Sequence, residues 1–317
     1  MQKEYHSVIN RLENSVQINS KNLLFNIVKL GIRLGIIQSM FKNSKMHFPP
    51  VQNRNFLKDY INVLIDSKIA AMEGDNVVLL PFDFSFTSHE IENSIPEYLT
   101  MYDYIASMAH YRAISEKHPN ILMSFGKDAD VWDIFLDNPF CRTYRKVSTD
   151  LLELKNGDKV LDVGCGSISP VYFSEKISPN GFYRGIENSG KLATLATKRL
   201  RRKGYDWADI NNSSIEDLFI TTKYDVVICT DMLNYINSPT MALKNMLKAL
   251  KKGGEMVIFD IFPDLMSFNL KVYEFYNHLN PSFRGLMEAN TIMDILEKLD
   301  NTLRIEVLGK SFIVVHK

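Results

Sequence analysis

The sequence predicts an α/β protein: a doubly wound, mostly parallel sheet closed by an antiparallel hairpin, preceded by an N-terminal α-helical module of winged-helix type. Three observations carry this. From Gly157 onward, strand-like apolar runs alternate with helix-like ones, the mark of a doubly wound sheet. The last two strands, at 303–308 and 312–316, are joined only by Gly309-Lys310-Ser311, too short for a parallel crossover. Before residue 90, helical periodicities lead into an apolar hairpin with a Gly74-Asp75-Asn76 turn.

The totals set the frame. A chain of 317 residues suggests more than one domain. The pattern divides it into 1–90, a winged-helix-like dimerisation domain; 91–150, a helical linker; and 151–317, the α/β domain. Apolar residues at 45% and charged residues at 23% belong to an ordinary globular protein. Lys+Arg and Asp+Glu are equal at 37 each, so no net field draws the chain to nucleic acid or an anionic membrane. The basic run Lys198-Arg-Leu-Arg-Arg-Lys203 falls on a predicted helix and reads as a solvated face. Cys141, Cys165 and Cys229 are too few and scattered for a disulfide framework or a zinc site, and no metal is expected. The N-terminus lacks a signal-peptide pattern. The most apolar long segment, 23–41, is interrupted by Lys29 and Arg33, so a cytoplasmic protein is expected.

In chain order, 1–20 is polar and reads as a loosely held arm. From 22 to 40, apolar residues recur at helical spacing, with a break expected near Gly31 or Gly35. Pro49-Pro50 ends the next loop, 55–65 is helical again, and the hairpin spans 69–81. Helices followed by such a hairpin make a winged helix. A DNA reader would carry a basic recognition helix. Here Arg54, Lys58 and Lys68 are set against Asp59 and Asp66, which favours dimerisation. The stretch 95–150 is rich in aromatics, Tyr98, Tyr102, Tyr104, Tyr111, Phe125, Trp132, Phe135, Phe140 and Tyr144 among them. They serve either as core or as walls for a flat organic molecule. Later strands are expected at 159–163, 181–186, 224–229 and 255–261, and helices at 170–177, 190–203, 241–251 and 291–299.

The stretch with chemical content is Lys159-Val-Leu-Asp-Val-Gly-Cys-Gly-Ser167: a buried strand, Asp162, then a glycine turn. Ligands of open α/β sheets bind at that carboxyl edge. A nicotinamide or flavin fingerprint would need a third glycine where Ser169 stands, and no phosphate-cradling P-loop motif is present. A second acid, Glu187, lies 21 residues after Gly166, where a ribose-binding carboxylate belongs.

Four motifs in order, Val160-Leu-Asp-Val-Gly-Cys-Gly166, Gly185-Ile-Glu187, Tyr224-Asp-Val-Val-Ile228 and Leu250-Lys-Lys-Gly-Gly254, resemble those of class I S-adenosylmethionine-dependent methyltransferases. That resemblance implies a seven-stranded sheet, S-adenosyl-L-methionine as cofactor and in-line methyl transfer to a small-molecule acceptor. The order of a winged-helix module, linker and methyltransferase fold, with Phe125-Gly-Lys-Asp-Ala-Asp-Val-Trp132 in the linker, resembles the caffeate- and hydroxyindole-type O-methyltransferases. It implies a homodimer through the N-terminal domain, O-methylation, and an aromatic or amphipathic metabolite.

By the same resemblance Asp162 holds the amino end of the cofactor. Gly164, Cys165 and Gly166 form the turn that the methionine portion approaches, and Glu187 takes the ribose. Asn188, Ser214 and Ile215 lie at the adenine. Thr230 and Asp231 close the site below the methionine, Asp231 being otherwise a helix cap. These O-methyltransferases place a histidine base after the fourth strand, where this chain has Asn234. Tyr235 and His278 are the catalytic candidates in its stead, with His110, His118 and Glu274 also weighed. An amine, thiol, carboxylate or enolate carbon needs no strong base, so N-, S- and C-methylation stay open. The alternative reading is a metabolite-sensing regulator with a non-catalytic methyltransferase fold.

Overall fold

The computed structural model describes residues 2–41, 51–114, 124–219 and 221–317; Pro49-Pro50 and His118 lie outside them. Among the described residues, no helix is long and apolar enough to cross a membrane. The chain forms two compact units, one of Met1–Leu12, Phe125–Met266 and Arg284–Lys317, the other of Glu13–Ser124 and Ser267–Phe283.

The second unit is mainly helical. The arm expected at the start is instead helix α1, Gln2–Arg33, whose first turns to Leu12 count with the sheet unit. Ile9, Leu12, Val16, Leu23 and Ile27 are buried at helical spacings, a stripe that the polar residues between them hide. The chain breaks at Leu34-Gly35 before α2, Ile36–Phe41. Helix α3, Arg54–Asp66, starts at Asn53, whose side chain accepts from the Phe56 amide. Strands β1, Ala70–Glu73, and β2, Asn76–Leu79, pair antiparallel around Gly74-Asp75 as expected. Helices α4, Ser88–Glu92, and α5, Pro96–Ile114, follow.

The sheet unit resumes with α6, Ala129–Leu136, and α7, Pro139–Leu151. Then come β3, Lys159–Val163; α8, Ser169–Lys176; β4, Phe182–Ile186; α9, Gly190–Lys203; and β5, Ala208–Asn211. Strand β6, Tyr224–Thr230, helix α10, Pro239–Ala249, and strand β7, Leu250–Phe259, continue the alternation. Helix α11, Lys271–Asn277, belongs to the helical unit, after which α12, Ala289–Leu299, and β8, Arg304–Leu308, and β9, Phe312–His316, complete the sheet.

The seven strands run in the order β5-β4-β3-β6-β7-β9-β8. Strands β5 to β7 pair parallel, and β9 pairs antiparallel with both β7 and β8. The order reverses between β3 and β6, so the crevice beyond their carboxyl ends is the topological switch point. Val160, Leu161 and Val163 are buried, as are Val227 and Cys229 on β6, because helices cover both faces of a parallel sheet. Six of the strands sit where the sequence puts them, within a few residues. The seventh, β5, reads Ala-Asp-Ile-Asn and lies at the edge with no fully buried position, so it leaves no apolar run to notice.

Candidate active site

The site is built at the carboxyl ends of β3, β4, β6 and β7. After Val163 the backbone turns through Gly164 at φ 72° and Gly166 at φ 59°, a region that side-chain-bearing residues rarely enter. Both amides of Gly164 and Cys165 point at the Ile186 carbonyl, at 2.8 and 3.1 Å. The turn is thereby fixed to the end of β4, where Glu187 stands. One carboxylate oxygen of Glu187 accepts from the Gly166 amide at 2.9 Å, the other from the Ser189 amide at 2.7 Å. Burial raises its carboxyl, opposed by the amides of Ser189, Gly166 and Asn188. Each oxygen keeps a second lone pair, so this carboxylate can still accept from two hydroxyls of a ribose.

Beneath the turn Asp162 is fully buried. Its Oδ2 accepts from the Tyr183 hydroxyl at 2.7 Å, and its Oδ1 has no hydrogen-bond partner among the described residues. Burial, against the Tyr183 hydroxyl and the charge of Arg145 and with the charge of Glu187, pushes this carboxyl up to about 7. An orphaned buried carboxylate oxygen is costly, and it fits a site that takes a cationic or hydrogen-bond-donating group above it. Cys165 is buried and packs where Gly185 leaves room, and burial raises its thiol.

The turn is braced from its far side. The Asp133 carboxylate on α6 accepts from the Ser167 hydroxyl at 2.5 Å and pairs with Arg199 of α9 at 2.5 Å. Arg199 thus leaves the solvated basic face of α9, on which Lys198, Arg201, Arg202 and Lys203 stay exposed as expected. Phe125 covers the same edge: its carbonyl accepts from the Ser189 hydroxyl at 3.0 Å, and its ring packs on Trp132 and Tyr235. Asn188 is exposed, and its carbonyl and that of Glu187 accept from Asn212. Ser214 caps the short 3₁₀ turn Ile215–Asp217, in which Ile215 is buried.

At the end of β6, Thr230 is buried and Asp231 is exposed with φ at 52°. The register Thr230↔Phe259 makes Asp231 and Asp260 the next residues on adjacent parallel strands. Burial, against the amides of Ile261, Leu233 and Met232 and the Asn234 side chain, pushes the Asp260 carboxyl up to about 7. Burial of the surrounding position, then the charge of Asp260, raises Asp231. Since Asp231 is exposed, solvent tempers the first effect, and the like charge is the firmer cause. Asn234 is consumed structurally: it donates to Asp260 at 2.5 Å and accepts from the Met287 amide at 3.1 Å, while its carbonyl accepts from the Arg284 amide at 2.7 Å.

Gly164, Cys165, Gly166, Glu187 and Asp162 therefore converge, with Thr230 and Asp231 on the adjoining strand end and Tyr235 beside Phe125. His278 belongs to the helical unit and lines a cavity there. His110 is also in that unit, near Arg33. Sequence reasoning missed Tyr183, Arg145, Asn212 and Asp260. Only Asp260 left a signal, an acid ending its strand as Asp231 ends β6.

The family model for a methyltransferase domain matches residues 154–298. An uncharacterized protein, MJ0906 of Methanocaldococcus jannaschii, is 33% identical over 98% of this chain and 87% of its own. A ubiquinone/menaquinone biosynthesis C-methyltransferase, UbiE of Pseudomonas fluorescens, is 23% identical over 56% of this chain and 70% of its own. Among solved structures, the CMeT domain of the citrinin polyketide synthase superposes with a TM-score of 0.73 at 13% identity, covering 99% of this chain and 94% of that one. At that identity the likeness speaks for the fold.

Proposed function

We propose that this chain, which carries a methyltransferase domain over residues 154–298, is an S-adenosylmethionine-dependent enzyme that methylates a small aromatic or amphipathic metabolite at an atom that is already nucleophilic, an electron-rich carbon ahead of a hydroxyl oxygen. The observation that carries this reading is Asn234. The position where the resembling O-methyltransferases keep a base holds an amide whose donor and acceptor are both tied to the protein. A relative named as a quinone-biosynthesis C-methyltransferase supports carbon as the acceptor.

Bound S-adenosylmethionine supplies an electrophilic methyl on a sulfonium. The residues do the rest. Glu187 accepts the ribose hydroxyls, the turn from Gly164 to Gly166 lets the methionine end come close to the backbone, and Asp162 offers its free oxygen below. Asn188, Ser214 and Ile215 border the adenine. Thr230 and Asp231 floor the site, and Tyr235 with Phe125 orients the acceptor and excludes water. Methylation at a carbon would leave that carbon with a proton to lose once the methyl had been taken from the sulfonium, so the site would need a proton acceptor. Asp231, whose carboxyl is raised by burial and by the charge of Asp260, would take it at the end of β6. In the helical unit, we read the succession α3-β1-β2 as a winged-helix module that pairs two copies of the chain, since its helix is too evenly charged to read DNA.

Calorimetry with S-adenosylhomocysteine tests the reading. Charge-assisted hydrogen bonds contribute about 1.5–3 kcal/mol each, so Glu187→Ala, which loses two, is expected to raise Kd about 100-fold or more. No binding by the native chain, or equal affinity in the variant, sinks the proposal.

A further inference from the structure

The helical unit holds a cavity of its own, of about 630 Å³, inside the roughly 300–1,000 Å³ range of small-molecule pockets. Three helices shape it. From α3 come Phe56, Asp59 and Val63, one face at spacings of three and four; α5 brings Arg112 near its end; and Lys271, Glu274, Phe275 and His278 lie along one face of α11 and its cap. Its floor is apolar. The Phe56 and Phe275 rings are nearly buried and meet at 5.4 Å with planes at 57°, which gives the cavity an aromatic floor for a flat guest to lie on.

The charges at its mouth are unevenly matched. Lys271 and Glu274 neutralise each other at 3.1 Å. The Arg112 guanidinium is half-buried and has no hydrogen-bond or ion-pair partner among the described residues. Asp59 stands exposed on the opposite helix and stays solvated. The backbone that carries Arg112 is tied to α3. Asn53, itself buried, donates its side-chain amide to the Arg112 carbonyl at 3.1 Å and its backbone amide to the Ala113 carbonyl at 3.1 Å while capping α3. A planar fork beside an apolar floor suits a carboxylate, which it binds through two parallel hydrogen bonds.

We infer that this cavity binds a flat aromatic carboxylate, the ring lying against Phe56 and Phe275 and the carboxylate on Arg112. The inference goes beyond methyl transfer, because every lining residue belongs to the helical unit. A ligand hydroxyl remote from the carboxylate meets Asp59.

Fluorescence titration of the full chain with 2-naphthoate and with its uncharged amide, 2-naphthamide, tests it. The acid is expected to bind saturably and about tenfold or more tighter than the amide, the gap a charge-assisted bidentate pair produces. In Arg112→Gln the acid should fall to the affinity of the amide. In Asn62→Trp, which fills the cavity, neither should bind, with circular dichroism checking that both variants fold. Absence of saturable binding to the native chain overturns the inference. So does a preference for the acid that survives in Arg112→Gln, or unchanged binding in Asn62→Trp. The cofactor reading is measured separately with S-adenosylhomocysteine and is untouched by any of these outcomes.

Discussion

Each unit buries a polar cluster, and the two are of opposite kinds. Under the glycine turn of the sheet unit lie carboxylates, Asp162, Glu187 and Asp260, all with raised carboxyls. In the helical unit lie hydroxyls and an amide: Tyr102 donates to Tyr273 and bonds Asn277, Tyr98 meets Tyr273 at 3.2 Å, and the Asn277 side chain donates to the Tyr273 carbonyl. Neutral groups of this kind satisfy one another at little electrostatic cost. Buried carboxylates do not, and Asp162 keeps one oxygen orphaned. The lesson is that the sheet edge holds a destabilising arrangement which a proton or a ligand relieves, while the tyrosine cluster is a structural tie.

That contrast predicts where stability depends on pH, and this is the largest effect expected. The Asp162 carboxyl is raised from 3.8 to about 7 by burial. The folded state therefore holds a proton that the unfolded chain releases, so this contribution is fully present below the unfolded value and is lost as pH rises toward 7. The shift corresponds to about 4 kcal/mol, and Glu187 and Asp260 act in the same direction. Urea unfolding between pH 4 and 8 should show native stability falling with rising pH, and Asp162→Asn should remove a large part of the fall. Parallel pH profiles for the two proteins would break the comparison.

How much of this was legible follows from the same contrast. The turn is a run of neighbours in sequence, and Glu187 belongs to the next strand of a parallel pair, so spacing alone brings it to Gly166. Tyr183 becomes a partner of Asp162 only once β3 and β4 are in register. Arg145 and Asp133 act from helices outside the motif. The helical cavity left even less trace. It is assembled from α3, the end of α5 and α11, and the segment Ser267–Phe283 folds with the helical unit although it interrupts the strand–helix alternation of the sheet. Nothing in three ordinary amphipathic helices says that their faces meet.

A smaller effect is expected at the turn itself. Gly164 has φ 72°, and a Cβ there would lie 2.1 Å from Met232 Cγ and 2.9 Å from its Cβ. The backbone conformation costs about 1–2 kcal/mol for a residue with a Cβ, and overpacking adds about 1–3. Gly164→Ala should thus lose roughly 3 kcal/mol of stability together with affinity for S-adenosylhomocysteine. A variant as stable as the native protein would show that the turn has slack, and would weaken the case that the cofactor's methionine end lies against it.

The smallest effect sharpens the other side. Asn53 is neutral, buried and fully used: its side chain accepts from the Phe56 amide at 3.0 Å and donates to the Arg112 carbonyl at 3.1 Å. Loss of such a cap costs about 1 kcal/mol. Because no ionisable group is involved, the loss in Asn53→Ala should be the same at pH 5 and pH 8, unlike that at Asp162. The second role of the residue separates it from an ordinary cap. Asn53→Ser keeps an oxygen for the Phe56 amide but cannot reach the Arg112 carbonyl. It should recover most of the stability without recovering the preference for 2-naphthoate over its amide. If serine restores both, Asn53 is a cap alone, and Arg112 is held by something other than this side chain.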